Sequence, residues 1–212
     1  DLVGLDLPLA NEVRQTVADR IGTPTGHVTV ACTHTHNGPS TFRTGLAGPH
    51  DVAPRPGEIA ALDLYIADLV DKLAGVSALA DGRRRPARAG AGSGEAGVAV
   101  NREEMLEDGR VFVGRNPGGV TDHSVDLLRI DDLEGNPIAA VASYAAHPVV
   151  MGLASQLISP DYPGVVRRIV EQTTGAMCLF LTGAAGNQAT IEFLQDDWSE
   201  IERIGGVVGS EA

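Results

Sequence analysis

The chain is poor in aromatic residues (4%), has two cysteines and a single lysine, and contains no long apolar run. With so few large rings, alanine, valine and glycine carry much of the apolar content. The two cysteines rule out a disulfide-stapled scaffold. Cys32 and Cys178 both fall in predicted strands and read as inert core thiols rather than a bridge, with no metal role expected of Cys32. No segment reaches the roughly 18 apolar residues of a membrane-spanning helix. Positive charge is also short: 16 Lys and Arg face 28 Asp and Glu, leaving a net charge of −12. That balance argues against a nucleic-acid footprint, which needs a basic face, and favours solubility.

What remains is ordinary for a globular protein, at 43% hydrophobic and 21% charged residues. A length of 212 residues suffices for one domain with a sizeable core, or at most two small ones. No 20–50-residue period repeats. The chain opens in a strand-like segment (Leu2–Leu7) and closes in a helix-like one. The expectation is a single domain over 1–212, part of a longer polypeptide and incomplete at both ends. Any secretory leader would precede Asp1, so the sequence assigns no compartment.

The organising stretch is Val28-Thr29-Val30-Ala31-Cys32-Thr33-His34-Thr35-His36-Asn37-Gly38-Pro39. Its period-2 alternation predicts a strand, stopped by Asn37-Gly38-Pro39. Carried forward, the period puts His34 and His36 on one face, about 7 Å apart. Open α/β sheets bind ligands at such carboxyl-terminal strand ends.

The rest of the chain supplies the layers. Helices are predicted from about Leu9 to Ile21, with Val13, Val17 and Ile21 on one face, and from Glu58 to Leu79, with Ile59, Leu62, Ile66, Leu69, Leu73 and Val76 on one stripe. A long loop over 39–57, holding Pro39, Pro49, Pro54 and Pro56, leads from the 28–36 stretch into the second helix and carries Arg43 and His50. Residues 87–119 are Gly-rich and strand-like, suggesting a β-rich insertion. A hairpin is predicted from Val125–Ile130 and Ile138–Ala146, ending at His147-Pro148. Asp161 reads as the N-cap of a helix running to Thr174, with Pro163 in its first turn. The apolar strand Met177–Leu181 then enters the turn Gly183-Ala184-Ala185-Gly186-Asn187-Gln188. The fold class is therefore α/β, a mixed sheet flanked by helices with a β-rich insertion.

Three strand ends thus carry notable chemistry: His34/His36, His147 and the 183–188 turn. Neutral imidazole is the commonest protein ligand for zinc, and a catalytic zinc site takes three protein ligands and an open position. Each feature also has a plainer reading: a hydrogen-bonded histidine pair, a satisfied half-buried histidine, a tight strand-to-helix turn. The turn can alternatively present backbone amides to an oxyanion, but it is not a phosphate-binding loop, which would need Lys-Ser/Thr. His27, His50 and His123 sit in loops and are expected to face solvent. No carboxylate has a convincing claim as the third ligand; Asp161 and Asp122 are candidates by loop position alone.

Ala31-Cys32-Thr33-His34-Thr35-His36-Asn37-Gly38-Pro39 resembles the Thr-His-Thr-His-Ser-Gly-Pro motif of the neutral/alkaline non-lysosomal ceramidase family. The likeness continues in order through Asn101-Arg102, Ala146-His147-Pro148, Ile158-Ser159-Pro160-Asp161-Tyr162-Pro163-Gly164 and Gly183-Ala184-Ala185-Gly186-Asn187. The resemblance implies a zinc-dependent hydrolase of an N-acyl amide, with a small-molecule or lipid amide such as ceramide as substrate. It implies His34 and His147 as zinc ligands, His36 as a hydrogen-bonding or acid/base group, Arg102 as a substrate contact, and Gly186 and Asn187 in a substrate or oxyanion turn. The family's further ligands, a Glu and a Tyr, would lie beyond residue 212. Two positions depart from the pattern: Asn187 replaces an acidic residue, and Ala189 replaces the proposed nucleophilic serine. The latter leaves zinc-activated water as the nucleophile. The alternatives are another metallohydrolase, acting on esters or phosphoesters, and a non-catalytic module of the same fold. Oligomeric state is not readable.

Overall fold

The computed structural model describes residues 1–43, 56–152, 155 and 157–212. The expectations for most of the 39–57 loop, including His50, lie outside the described residues. The chain forms two compact units. One comprises 4–31 and 39–85, the other 1–3, 32–38 and 86–212. No helix among the described residues is long and apolar enough to cross a membrane.

The smaller unit pairs helices α1 (Leu7–Ile21) and α2 (Pro56–Asp81). Asp6, expected in a strand, instead caps α1: its carboxylate accepts the Leu9 amide at 2.9 Å, and Pro8 sits in the first turn. A short polar side chain before proline favours that start over a strand. Gly22, at φ 66°, closes the helix with its amide on the Ala18 carbonyl. Leu9, Val13 and Val17 pack with Ile66, Val70 and Ala74. The predicted stripe on α2 is thus narrower than expected. Ile66 is buried, Leu62 and Leu73 pack at its margin, and Ile59 and Val76 are exposed.

The larger unit is α/β. Its mixed four-stranded sheet runs β1 (Ala87–Glu95), β4 (Ser124–Asp132), β5 (Pro137–Tyr144), β6 (Met177–Thr182). The β4–β5 hairpin is antiparallel as expected. β5 and β6 are parallel, which requires a crossover, and α3 (Tyr162–Thr174) provides it. The second, antiparallel sheet runs β3 (Val111–Asn116), β2 (Ala99–Met105), β7 (Gln188–Thr190). The β-rich stretch at 87–119 therefore forms, with its strands shared between both sheets. α4 (Trp198–Glu211) packs on α3 over a core that includes Val125, Ala142, Tyr144, Tyr162, Phe180, Ile204 and Val208.

The predicted strand at 28–36 does not form. No ladder includes these residues, and His34 adopts φ 64°, which turns the chain out of the pleated conformation. The amides of His34 and His36 instead make single bonds, to the Leu2 and Pro148 carbonyls at 2.9 and 3.4 Å. β-branched residues favour a strand locally, but a strand also needs a partner edge.

Close approach of α3 and α4 depends on Gly205. A Cβ there would sit 2.5 Å from the Val165 Cβ and 2.9 Å from the Tyr162 carbonyl oxygen. Helix propensity alone would make Gly205→Ala stabilising by about 1 kcal/mol, whereas overpacking costs about 1–3 kcal/mol. Urea denaturation of Gly205→Ala is expected to show a net loss of stability, of order 1 kcal/mol; a gain would contradict the packing.

Candidate metal centre

The fold brings three of the sequence-selected histidines together. His147 follows the carboxyl end of β5, and the 183–186 turn follows the carboxyl end of the parallel strand β6. The 32–38 segment joins them: Thr182 Oγ1 donates to the Thr33 carbonyl at 2.6 Å. The His34 ring centroid lies 4.5 Å from that of His147 and 5.2 Å from that of His36. One ligand atom from each of His34, His36 and His147 falls within 4.8 Å of the others. His147 is buried, His34 half-buried and His36 exposed.

Hydrogen bonding fixes the tautomers of two rings. His34 Nδ1 lies 2.6 Å from the Val3 carbonyl oxygen, and His147 Nδ1 lies 2.6 Å from the Ala185 carbonyl oxygen. A carbonyl can only accept, so both Nδ1 atoms carry the proton. In the neutral rings each Nε2 then holds a lone pair, and these two nitrogens are 2.9 Å apart, with Arg102 Nη2 also 3.3 Å from that of His147. Facing lone pairs repel unless an electrophile lies against both. Tetrahedral zinc with Zn–N near 2.0–2.1 Å needs such nitrogens about 3.3 Å apart, a few tenths of an ångström from the separation observed. Donation of the second ring nitrogen to a carbonyl is also the usual support for a metal-bound imidazole. The donor set therefore fits a zinc ion.

Electrostatics disfavour the charged forms of His147 and His36. Burial, then the Arg102 guanidinium and the other two imidazoles, push His147 down to about 4, against the opposing hydrogen bond to Ala185. His36 is held down by desolvation, His34 and Arg102. Although His36 is exposed as a residue, the neighbouring ring and guanidinium both disfavour a second cation there.

Arg102 reaches the same place from β2. The ladder between β2 and β3 shifts register between Asn101 and Glu103. Asn101, buried, holds that bulge through its amide group, donating to the Val120 carbonyl and accepting the Glu103 amide, each at 2.9 Å. Arg102 stands at this irregularity opposite two β3 residues, Gly114 and Arg115, and bulges are common beside functional sites. Arg102 Nε donates to the Gly186 carbonyl at 3.0 Å, its backbone amide to the Asn187 carbonyl at 2.8 Å, and its Nη2 to His147 Nε2 at 3.3 Å. Gly186 and Asn187 thus meet Arg102 through their carbonyls.

Cys32, His34, His147, Thr182, Gly183 and Gly186 line an open cavity of about 340 Å³. Cys32 is a half-buried thiol on this cavity and not a core residue, because the segment carrying it is not a strand. Cys178 is buried, as expected. Asp161 and Asp122 are outside the histidine group: Asp161 caps α3, and Asp122 accepts the Ser124 amide. His27 and His123 are exposed. Sequence reasoning missed the Val3 and Ala185 carbonyls, which have no side-chain signature.

No protein-family model matches the chain, and neither does any curated protein. Solved structures do match. The neutral ceramidase from Pseudomonas aeruginosa aligns at TM-score 0.66 and 22% identity over 95% of this chain. A ceramidase complexed with C2 aligns at TM-score 0.68 and 23% identity over 96%. The fold is shared with ceramidases. This chain spans about a third of either one, 34% and 33% respectively.

Acid should attack this centre first. His147 has a folded-state pKa near 4 against 6.5 when unfolded, so the unfolded chain binds the extra proton between those values. Its contribution is complete above pH 6.5 and is lost as pH falls towards 4, about 3 kcal/mol in all. Asp161, pushed up to about 6 by burial, has the opposite sign. Comparing wild type with His147→Gln by urea denaturation at pH 7 and pH 4.5 separates the two. The wild type should lose more stability on acidification than the variant; equal losses would remove His147 as the cause.

Proposed function

We propose that this chain carries part of the active site of a zinc-dependent hydrolase acting on an N-acyl amide, with a lipid amide of the ceramide type as substrate. The observation that carries the reading is the pair of Nε2 lone pairs held 2.9 Å apart by two carbonyl-anchored imidazoles. The ceramidase fold supports the substrate class.

His34 and His147 are the protein ligands, and His36 lies on the exposed side of the group. The chemistry that zinc supplies when bound is a nucleophilic water near neutral pH and polarisation of the amide carbonyl. His36, held neutral, accepts a proton from the attacking water and returns it to the leaving nitrogen. Arg102 Nη2 donates to His147 Nε2; a ligand engaging that nitrogen frees the guanidinium to face the developing oxyanion. Burial lowers the Arg102 pKa from its ordinary value, with Glu103 opposing. Gly186 and Asn187 act in this scheme by anchoring Arg102.

Ala189 is fully buried in β7, opposite Val100, and has no hydroxyl, so no serine-type nucleophile acts from that position. An ester or phosphoester substrate is the reading to exclude, and a substrate panel does so.

The experiment is zinc analysis and amide turnover on this chain within its longest native polypeptide. His34→Ala and His147→Ala should each abolish stoichiometric zinc and activity. Arg102→Ala should retain zinc and lower kcat by about 10²–10³-fold. Full zinc and turnover in both histidine variants would sink the assignment. Zinc retained without turnover on amides, esters or phosphoesters would identify a binding module.

A further inference from the structure

The Ser159–Tyr162 turn makes no contact with the reacting groups in the scheme above, yet it touches both histidine-bearing segments. On one side, Thr35, which sits between His34 and His36, donates its Oγ1 to the Ser159 carbonyl at 2.9 Å. The Ser159 amide donates to the Asn37 carbonyl at 3.0 Å. On the other side, Tyr162 Oη donates to the carbonyl of Ala146, the residue before His147, at 2.7 Å. Asp161 Oδ2 accepts the Met151 amide at 3.2 Å. The turn is itself locked, with the Asp161 amide on Ser159 Oγ at 3.0 Å and the Tyr162 amide on Asp161 Oδ1 at 2.7 Å.

Every side chain in this set is buried: Thr35 and Tyr162 are 0% exposed, Asp161 1% and Ser159 4%. Asp161 also adopts φ 56°, a conformation a non-glycine residue keeps only where its surroundings over-determine it. Hydrogen bonds in a dry environment are stiff, because breaking one leaves an unpaired buried group.

From this geometry we infer that the Ser159–Tyr162 turn is a bracket that sets the spacing between the His34/His36 segment and His147, with Thr35, Asp161 and Tyr162 as positioning residues for the metal pair. The inference rests on the zinc reading for its consequence, though not for the bonds themselves. A 2.9 Å separation of two Nε2 atoms tolerates little drift, since zinc affinity falls 10–100-fold when the groups orienting its ligands are lost.

The test uses Thr35→Val and Tyr162→Phe, which keep shape and remove one hydroxyl from each side of the bracket. Val208→Ala, in the same core but outside these hydrogen bonds, is the control for generic loss of stability. Zinc affinity is read by competition with a chromophoric chelator, and the 15N imidazole spectrum of the metal-free chain reports ring environment independently. Both bracket variants should bind zinc 10–100-fold more weakly while the control binds as wild type. They should also shift the His34 and His147 imidazole signals. Wild-type affinity in the bracket variants, or an equal loss in the control, would overturn the bracket. If wild type itself binds no zinc, the metal reading fails, and the imidazole spectra decide the bracket alone: shifts confined to the bracket variants support it, and unchanged spectra overturn it.

Discussion

Two carbonyl oxygens, those of Val3 and Ala185, determine what this site can be. By accepting from Nδ1 they force the His34 and His147 lone pairs outwards on Nε2, towards one another. A histidine pair free to choose its tautomer would relax into an ordinary Nε2–H···Nε2 hydrogen bond, and the cluster would be a satisfied polar rim. The carbonyls close that option. Burial and the nearby guanidinium also disfavour a proton on His147, depressing it to about 4. The arrangement is one that could hold a metal ion against both nitrogens.

The architecture supplies those carbonyls from places far apart in sequence. Ala185 comes with the turn after β6, whose parallel pairing with β5 puts it beside His147. The bridge between His147 and Ala189 then ties the second sheet to the same point, and with it the strand that carries Arg102. Two sheets and one irregular segment therefore meet at His147. His34 accepts a left-handed backbone in that segment, at a cost of order 1–3 kcal/mol, to face it.

Much of this was legible. The helical periods, the Asp161 cap, the 125–146 hairpin and the apolar β6 strand all follow from local chemistry, and each formed close to its expected bounds. The His-X-His pair and His147 were visible because imidazoles are rare and their placement at element ends is informative. What failed was the strand at 28–36. Alternation of β-branched residues states a preference, but pairing is a long-range property, and φ 64° at His34 is not written in its side chain. The anchoring carbonyls of Val3 and Ala185 were invisible for a similar reason: backbone groups are the same at every position. Cys32 was misplaced as core by inheritance from the missing strand.

That distinction between backbone and side chain also governs the two departures from the ceramidase pattern. Residues 185–188 serve the site through carbonyls: Ala185 to His147 Nδ1, Gly186 and Asn187 to Arg102, Gln188 to the His147 amide. A carbonyl is indifferent to the side chain attached beside it, provided the turn keeps its shape. Replacing an acidic residue by Asn187 therefore removes a charge without removing an anchor. Ala189 lies fully buried in β7, so a small apolar side chain suits its place. The imidazoles of His34 and His147 and the guanidinium of Arg102 have no backbone substitute. On the proposed function, substitution is felt at those three side chains, while the turn that supports them can vary and still hold the geometry.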